Sequence, residues 1–334
     1  MSSLDDEFRF LAGDARRVGR AAPLPAVRRV EAEVADGRRV RALAFDPHRA
    51  PELVFLHGIG LSAHSFDPTV LALGAPALSV DLPGHGRSDW RPDARYTPTH
   101  LAPDVSAALG ALAPRPVTLV GHSLGGLTAA AVAGARAGVI RQLVLVDITP
   151  GHVPAGPSGA VAEFIGGQRD FASHEEMVDR AIAFGIGHDR ERLARGVALN
   201  SRRRADGRWE WAHHLAHLPN VTGAATGAAA GGTDTGTDCA AGAGAAALPA
   251  ATDPERAFAD LWAPLERLHA DGVAVTLVAA SAGFVDGAQL DEWRDRLPRS
   301  TVDVVEGPHN LHEAAPRELA TVLARAQARA AESG

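Results

Sequence analysis

The stretch PVTLVGHSLGGLTAAA, Pro116–Ala131, decides the fold. Its first half is a short apolar run of buried-strand type, and its second half has a helix-forming composition. Between them lies Gly121-His122-Ser123-Leu124-Gly125, a G-x-S-x-G pattern at a strand-to-helix junction. Glycines two positions before and two after the serine leave room for a sharp, strained turn that holds Ser123 exposed at the end of the strand. The backbone NH of Leu124, at the start of the helix, then faces negative charge developing on an attacked carbonyl oxygen. A nucleotide loop is the competing reading of glycines after a strand, but this stretch has neither G-x-G-x-x-G nor a phosphate-binding lysine.

Outward from this junction the same alternation continues. Apolar runs of buried-strand type begin at Leu53 (LVFLHG), Ala77 (ALSVDLPG) and Gln142 (QLVLVDITP), and helix-compatible segments fall at Thr99–Ala113 and Leu124–Ala137. Strands alternating with helices predict a mostly parallel sheet covered on both faces. Upstream, alternating residues on both sides of Asp36-Gly37 predict an antiparallel hairpin at the sheet edge. After Pro150 the regularity breaks: HEEMVDRAIAFGI and DRERLARGVALN have helical spacing, and ADGRWEW reads as a turn into a short extended piece. The tract Val221–Ala251, dominated by Ala, Gly and Thr, has little to repay the entropy of ordering and is read as a disordered insertion. Alternation resumes with VAVTLVAAS and STVDVVEG. The predicted organisation is an N-terminal extension (1–26), a first core part (27–150), a helical cap inserted after the sixth strand (151–270) and a second core part (271–334).

Composition narrows the function classes. The 334 residues are 46% hydrophobic, enough for a sizeable core. A net charge of −7 leaves no electrostatic footprint for nucleic acid or an anionic membrane, and Arg202–Arg204 with Arg208 read as a solvated loop face. The start, MSSLDDEFRF, lacks the basic and apolar regions of a signal peptide, and no apolar run reaches membrane-spanning length, so a cytoplasmic protein is expected. The single cysteine, Cys239, excludes an intrachain disulfide. His213 and His217 lie four apart, but with no H-E-x-x-H acid and no third ligand they do not suggest a metal site, and no cofactor is expected.

Two further stretches carry chemistry. In FLHGIG, Phe55–Gly60, a strand ends where a second oxyanion donor is needed, and the NH of Ile59 is the candidate, with that of Gly60 the alternative. In VVEGPHNLHEAAP, Val304–Pro316, His309 and His312 are the histidines available as a base. Together with DLPGHGRSD, Asp81–Asp89, these segments make the chain similar to the α/β-hydrolase fold family over nearly its whole length outside the N-terminus and the low-complexity tract. The resemblance implies that His309, after Gly307 and before the helix opened by Pro316, is the base, with His312 its local competitor. It also implies a serine hydrolase in which His309 takes the proton of Ser123 as the serine attacks a carbonyl carbon and returns it to the leaving group, and water then releases the acid. Small carboxylic esters or related acyl compounds are the expected substrates. Thioesterase, lactonase, carbon–carbon hydrolase and perhydrolase reactions use the same constellation, and a non-catalytic small-molecule receptor is the alternative outside enzymes.

One position departs from the family pattern. The family usually carries its acid after the seventh strand, where this chain reads AASAGFVDG, with Ser281 at that place and Asp286 five residues on. A hydroxyl can accept the imidazole's hydrogen bond but cannot balance its charge. A carboxylate is therefore sought elsewhere, and the resemblance implies Asp147, at the end of the sixth strand where some members carry the acid, with Asp286 or a site lacking a proper third member as the alternatives. An esterase branch of the family resembles this chain more closely, pairing an Asp after the sixth strand with a Ser after the seventh; on that likeness Ser281 is expected near His309 as a secondary hydrogen-bond partner.

Overall fold

The computed structural model describes residues 7–152, 163–165, 167–187, 189–218 and 258–332. The tract 221–251 and Cys239 lie outside the described residues. In chain order the first elements are α1 (Leu11–Arg17), β1 (Val27–Glu33), β2 (Arg39–Phe45), β3 (Leu53–Leu56), α2 (Asp67–Leu73), β4 (Ala77–Val80), α3 (Pro98–Leu112), β5 (Val117–His122), α4 (Leu124–Ala135) and β6 (Ile140–Val146). An insertion follows, with α5 (His174–Ala183), α6 (Arg190–Asn200), β7 (Ser201–Arg203) and β8 (Trp209–Trp211). The chain then returns through α7 (Trp262–Ala270), β9 (Ala274–Ala282), α8 (Gly287–Arg296), β10 (Thr301–Pro308), α9 (Leu311–Ala314) and α10 (Pro316–Glu332).

Eight strands form one sheet in the order β1-β2-β4-β3-β5-β6-β9-β10. Only the β1–β2 and β2–β4 pairings are antiparallel; β4, β3, β5, β6, β9 and β10 run parallel. The edge hairpin turns at Asp36-Gly37, both with positive φ (61° and 68°), as its sequence predicts. Successive residues of the central strands feed opposite layers. Leu119, Leu143, Leu145 and Leu277 pack with α3, α4, α7 and α8, whereas Val120, Val144, Val146 and Val278 pack with α1, α2 and α10. Every residue of β3, β4 and β5 is buried, which is why these strands read as continuous apolar runs rather than alternating ones.

Parallel pairing brings the C-terminal ends of β3, β5, β6, β9 and β10 to one edge, so the residues that follow each strand share one rim. The insertion has a small core of its own, with Phe171, Met177, Val178, Val197 and Trp211 buried together, and its β7–β8 hairpin turns through Asp206-Gly207. Among the described residues several contacts tie it to the body. Arg195 of α6 reaches Asp14 of α1 (2.6 Å) and the backbone oxygen of His64 (3.2 Å), and the His214 NH donates to the Gly84 carbonyl (2.7 Å). Two stretches differ from the organisation expected from sequence. Helix α7, assigned there to the cap, packs Trp262, Leu265 and Leu268 into the core because its apolar face matches α4. Helix α1, assigned to an extension, inserts Leu11 and Ala15 into the layer beneath Phe45 and Phe55. Among the described residues no helix is long and apolar enough to cross a membrane.

Candidate active site

The turn at Ser123 is as tight as the glycine spacing demands. Ser123 takes φ 52° and ψ −122°, a region that costs a non-glycine residue roughly 1–3 kcal/mol. The turn folds α4 back across the strand end so closely that a Cβ at Gly121 would lie 2.3 Å from the Gly125 oxygen, and one at Gly125 would lie 2.1 Å from the Leu56 oxygen. Side chains at either position would push the helix off the sheet. The Ser123 NH is tied to the Val146 carbonyl (3.3 Å) and its carbonyl accepts from the NH of Gly126 (2.8 Å).

Asp147 follows β6 at φ 50° and is fully buried. Its Oδ1 accepts from the Ala280 NH (2.9 Å), and its Oδ2 accepts from the Phe284 NH (2.7 Å) and from His309 Nδ1 (2.7 Å). The His309 ring is thereby fixed with its proton on Nδ1 and Nε2 free to accept. Two aromatic rings complete its setting. Phe284 stacks on it at 3.7 Å between centroids and 16° between planes, and the His122 ring lies 4.5 Å away. His122 Nε2 donates to the His309 carbonyl (3.1 Å), joining the loop after β10 to the residue beside Ser123. Burial holds the His122 pKa well below the ordinary histidine value, so this tie is made by a neutral ring. No hydrogen bond links the Ser123 hydroxyl to the His309 ring among the described residues; contacts of this kind often tighten only when substrate binds.

The two residues named from the sequence for their amides, Ile59 and Leu124, also lie along this edge of the sheet. Leu124 is the first residue of α4, so its NH has no partner within the helix. Ile59 lies in the loop after β3, which is shaped by His57. That ring donates from Nδ1 to the Gly58 carbonyl (2.7 Å) and accepts at Nε2 from the Leu82 NH (3.0 Å). Both nitrogens being engaged, His57 holds the loop and is not available as a base.

Solved relatives share this fold. Residues 53–322 match the model of the alpha/beta hydrolase family. The chain belongs to that family. It is similar to esterase Rv0045c of Mycobacterium tuberculosis, with 42% identity over 214 residues, which cover 62% of this chain and 70% of that protein. A crystal structure of that esterase superposes with a TM-score of 0.74 at 33% identity, covering 98% of this chain and 99% of the other. A shorter likeness, 40% identity over 115 residues, links it to the sn-1-specific diacylglycerol lipase of Mus musculus, covering 33% of this chain and 37% of that enzyme.

In this esterase-like α/β hydrolase, not all expected residues meet. Ser281 does not reach the imidazole: it is exposed at the end of β9, and its hydroxyl accepts from the Gly307 NH (3.1 Å), two residues before His309. The cause is the irregular end of β10, where pairing with β9 shifts register between Val305 and Pro308 and turns Gly307 to φ 149°. Asp286 is occupied elsewhere, as the N-cap of α8 in a capping box with Gln289. His312 is fully buried against Phe66 and His122, and burial pushes its pKa down to about 3. Phe66 itself packs against Phe55 in the core, 4.9 Å between centroids, and Trp90 stacks on His214 at 4.1 Å. His213 and His217 diverge, the first accepting from the Ala216 NH and the second donating to the Trp211 carbonyl; no metal-holding group of three is present among the described residues.

Sequence reasoning missed Phe284 and His122 as walls of the His309 site. Phe284 had a signal, being the one large apolar residue in AASAGFVDG. His122 had none, because its role depends on the fold of a loop almost two hundred residues away.

Proposed function

We propose that this α/β hydrolase is a serine esterase acting on small carboxylic esters through Ser123, His309 and Asp147. The observation that carries the reading is the 2.7 Å bond from His309 Nδ1 to the buried Asp147, beside a strained Ser123. His309 Nε2 takes the hydroxyl proton as Ser123 Oγ attacks the carbonyl carbon, and Asp147 stabilises the imidazolium so formed. The amides of Ile59 and Leu124 stabilise the oxyanion. Collapse of the tetrahedral intermediate expels the alcohol with the proton from His309, leaving an acyl-serine. Water, deprotonated by the same nitrogen, releases the acid and restores Ser123. The insertion after β6 acts as a cap that sets which acyl groups enter. The family likeness to named esterases supports ester substrates over the other acyl compounds this constellation can process. The single cysteine fits a reducing compartment, and we place the enzyme in the cytoplasm.

A fluorophosphonate probe tests the assignment. Wild type should be labelled and should hydrolyse p-nitrophenyl esters of short acids, while Ser123→Ala should lose both. An unlabelled, inactive wild type would instead fit a non-catalytic receptor on this fold.

A further inference from the structure

The insertion places the ring of one buried histidine against the loop that carries Ile59, and nothing in the reaction described above uses it. His213 is 3% exposed and precedes the short helical turn His214–His217, whose Ala216 NH donates to its Nδ1 (3.2 Å). A nitrogen that accepts carries no proton, so the ring is neutral with its hydrogen on Nε2. Burial also pushes its pKa down to about 3, which keeps that tautomer over the working pH range. His213 Nε2 has no partner within the described residues, and it faces Gly60, where a Cβ would stand 3.6 Å from it and 3.2 Å from Ile165 Cδ1.

The position is fixed rather than fortuitous. The next residue, His214, donates its NH to Gly84 (2.7 Å), pairs through Nδ1 with the Tyr96 hydroxyl (2.6 Å) and stacks on Trp90. Beside it, His85 is fully buried, its ring 6.0 Å from that of His213; its Nδ1 pairs with the Pro83 carbonyl and its Nε2 has no partner. An N–H on a buried ring that finds no acceptor within the protein is free to donate to a ligand or a water. Gly60, with φ 74° and no side chain, puts only backbone of the loop that carries Ile59 beside this nitrogen.

We propose that His213 Nε2 and the Gly60 loop form a polar subsite that recognises an uncharged acceptor oxygen, of ether or hydroxyl type, carried by the ester a few atoms from the scissile carbonyl. The proposal rests on the esterase reading. A neutral donor in a buried setting selects a neutral acceptor, since a carboxylate would enter without a countercharge. Discrimination against the hydrocarbon isostere comes from the donor being left unpaired when a methylene takes the oxygen's place.

Two pairs of isosteres separate the acyl and alcohol sides: p-nitrophenyl 3-methoxypropanoate against p-nitrophenyl pentanoate, and 2-methoxyethyl butyrate against butyl butyrate. The ratio of kcat/KM, ether over hydrocarbon, is read in wild type, His213→Asn and His213→Gln. Asn keeps an oxygen to cap the Ala216 NH but cannot reach Gly60, whereas Gln carries an N–H to the place of Nε2. In one arm the ratio should fall about tenfold in His213→Asn and recover in His213→Gln, with intrinsic reactivity differences cancelling between variants. Equal ratios in wild type and His213→Asn in both arms, with wild type labelled by fluorophosphonate, would overturn the subsite alone. An unlabelled wild type would overturn the esterase reading and the subsite together.

Discussion

The ends of β6 and β9 lie side by side on the same rim, yet they carry opposite kinds of residue. At the end of β6 stands a carboxylate, Asp147, buried and held at positive φ. At the end of β9 stands Ser281, exposed and bonded to a backbone amide. The second strand nevertheless has a part in the site, because the backbone of its last residues and the loop that follows wrap the Asp147 carboxylate. The NH groups of Ala280 and Phe284 donate to its two oxygens, and Phe284 covers the face of the histidine that this carboxylate orients. One strand supplies the charge and its neighbour supplies the socket.

The largest effect should come from removing the charge. Asp147→Asn keeps the volume but cannot balance the charge of the imidazolium, and its NH2 must face a backbone NH, Ala280 or Phe284, from which the carboxylate accepts. Turnover on a p-nitrophenyl ester should fall by about 10³–10⁴-fold, with a cooperative thermal transition retained. A small loss would mean that the acid is elsewhere and would dissolve the comparison.

Next in size should be damage to the socket with the charge intact. Gly283 has no side chain, and a Cβ there would come 2.1 Å from Asp147 Oδ2. Gly283→Ala must therefore displace either the loop or the carboxylate. A shift of about 1 Å at a reacting group is enough to cost roughly 10²-fold, so kcat should drop by about 10–100-fold while KM changes little. Wild-type turnover in this variant would show that the loop merely passes by the acid.

How much of this was legible in the sequence follows from what each feature is made of. The elbow was legible because its geometry excludes side chains at Gly121 and Gly125, and that exclusion is written in residue types. Asp147 was legible only through the family likeness, because a buried carboxylate at a strand end can equally be structural, as Asp81 is after β4. The socket was not, since its donors are backbone amides, which every residue has; only Gly283 marks it. The direction of the Ser281 hydroxyl was misread because a register shift in β10, between Val305 and Pro308, turns Gly307 rather than His309 toward it. The placements of α1 and α7 were missed for a similar reason. Their apolar faces are short, and what they cover is decided by helices distant in sequence.

The smallest effect should separate Ser281 from Asp286, the two residues that the seventh-strand pattern offered in place of an acid. Ser281→Ala removes a single bond to the Gly307 NH, in the segment that leads into His309. Such a bond is worth about 0.5–1.5 kcal/mol, so the melting temperature should fall by a few degrees and kcat by less than about tenfold. Asp286→Asn should do less still, because asparagine caps a helix about as well as aspartate and the Gln289 NH keeps its acceptor. If Ser281→Ala instead matched Gly283→Ala in kcat, the hydroxyl would have to reach the imidazole during turnover, and the end of β9 would share in orienting the base as well as in holding the acid. A loss confined to stability would leave Ser281 as a clasp between β9 and β10 and reserve the chemistry for the end of β6.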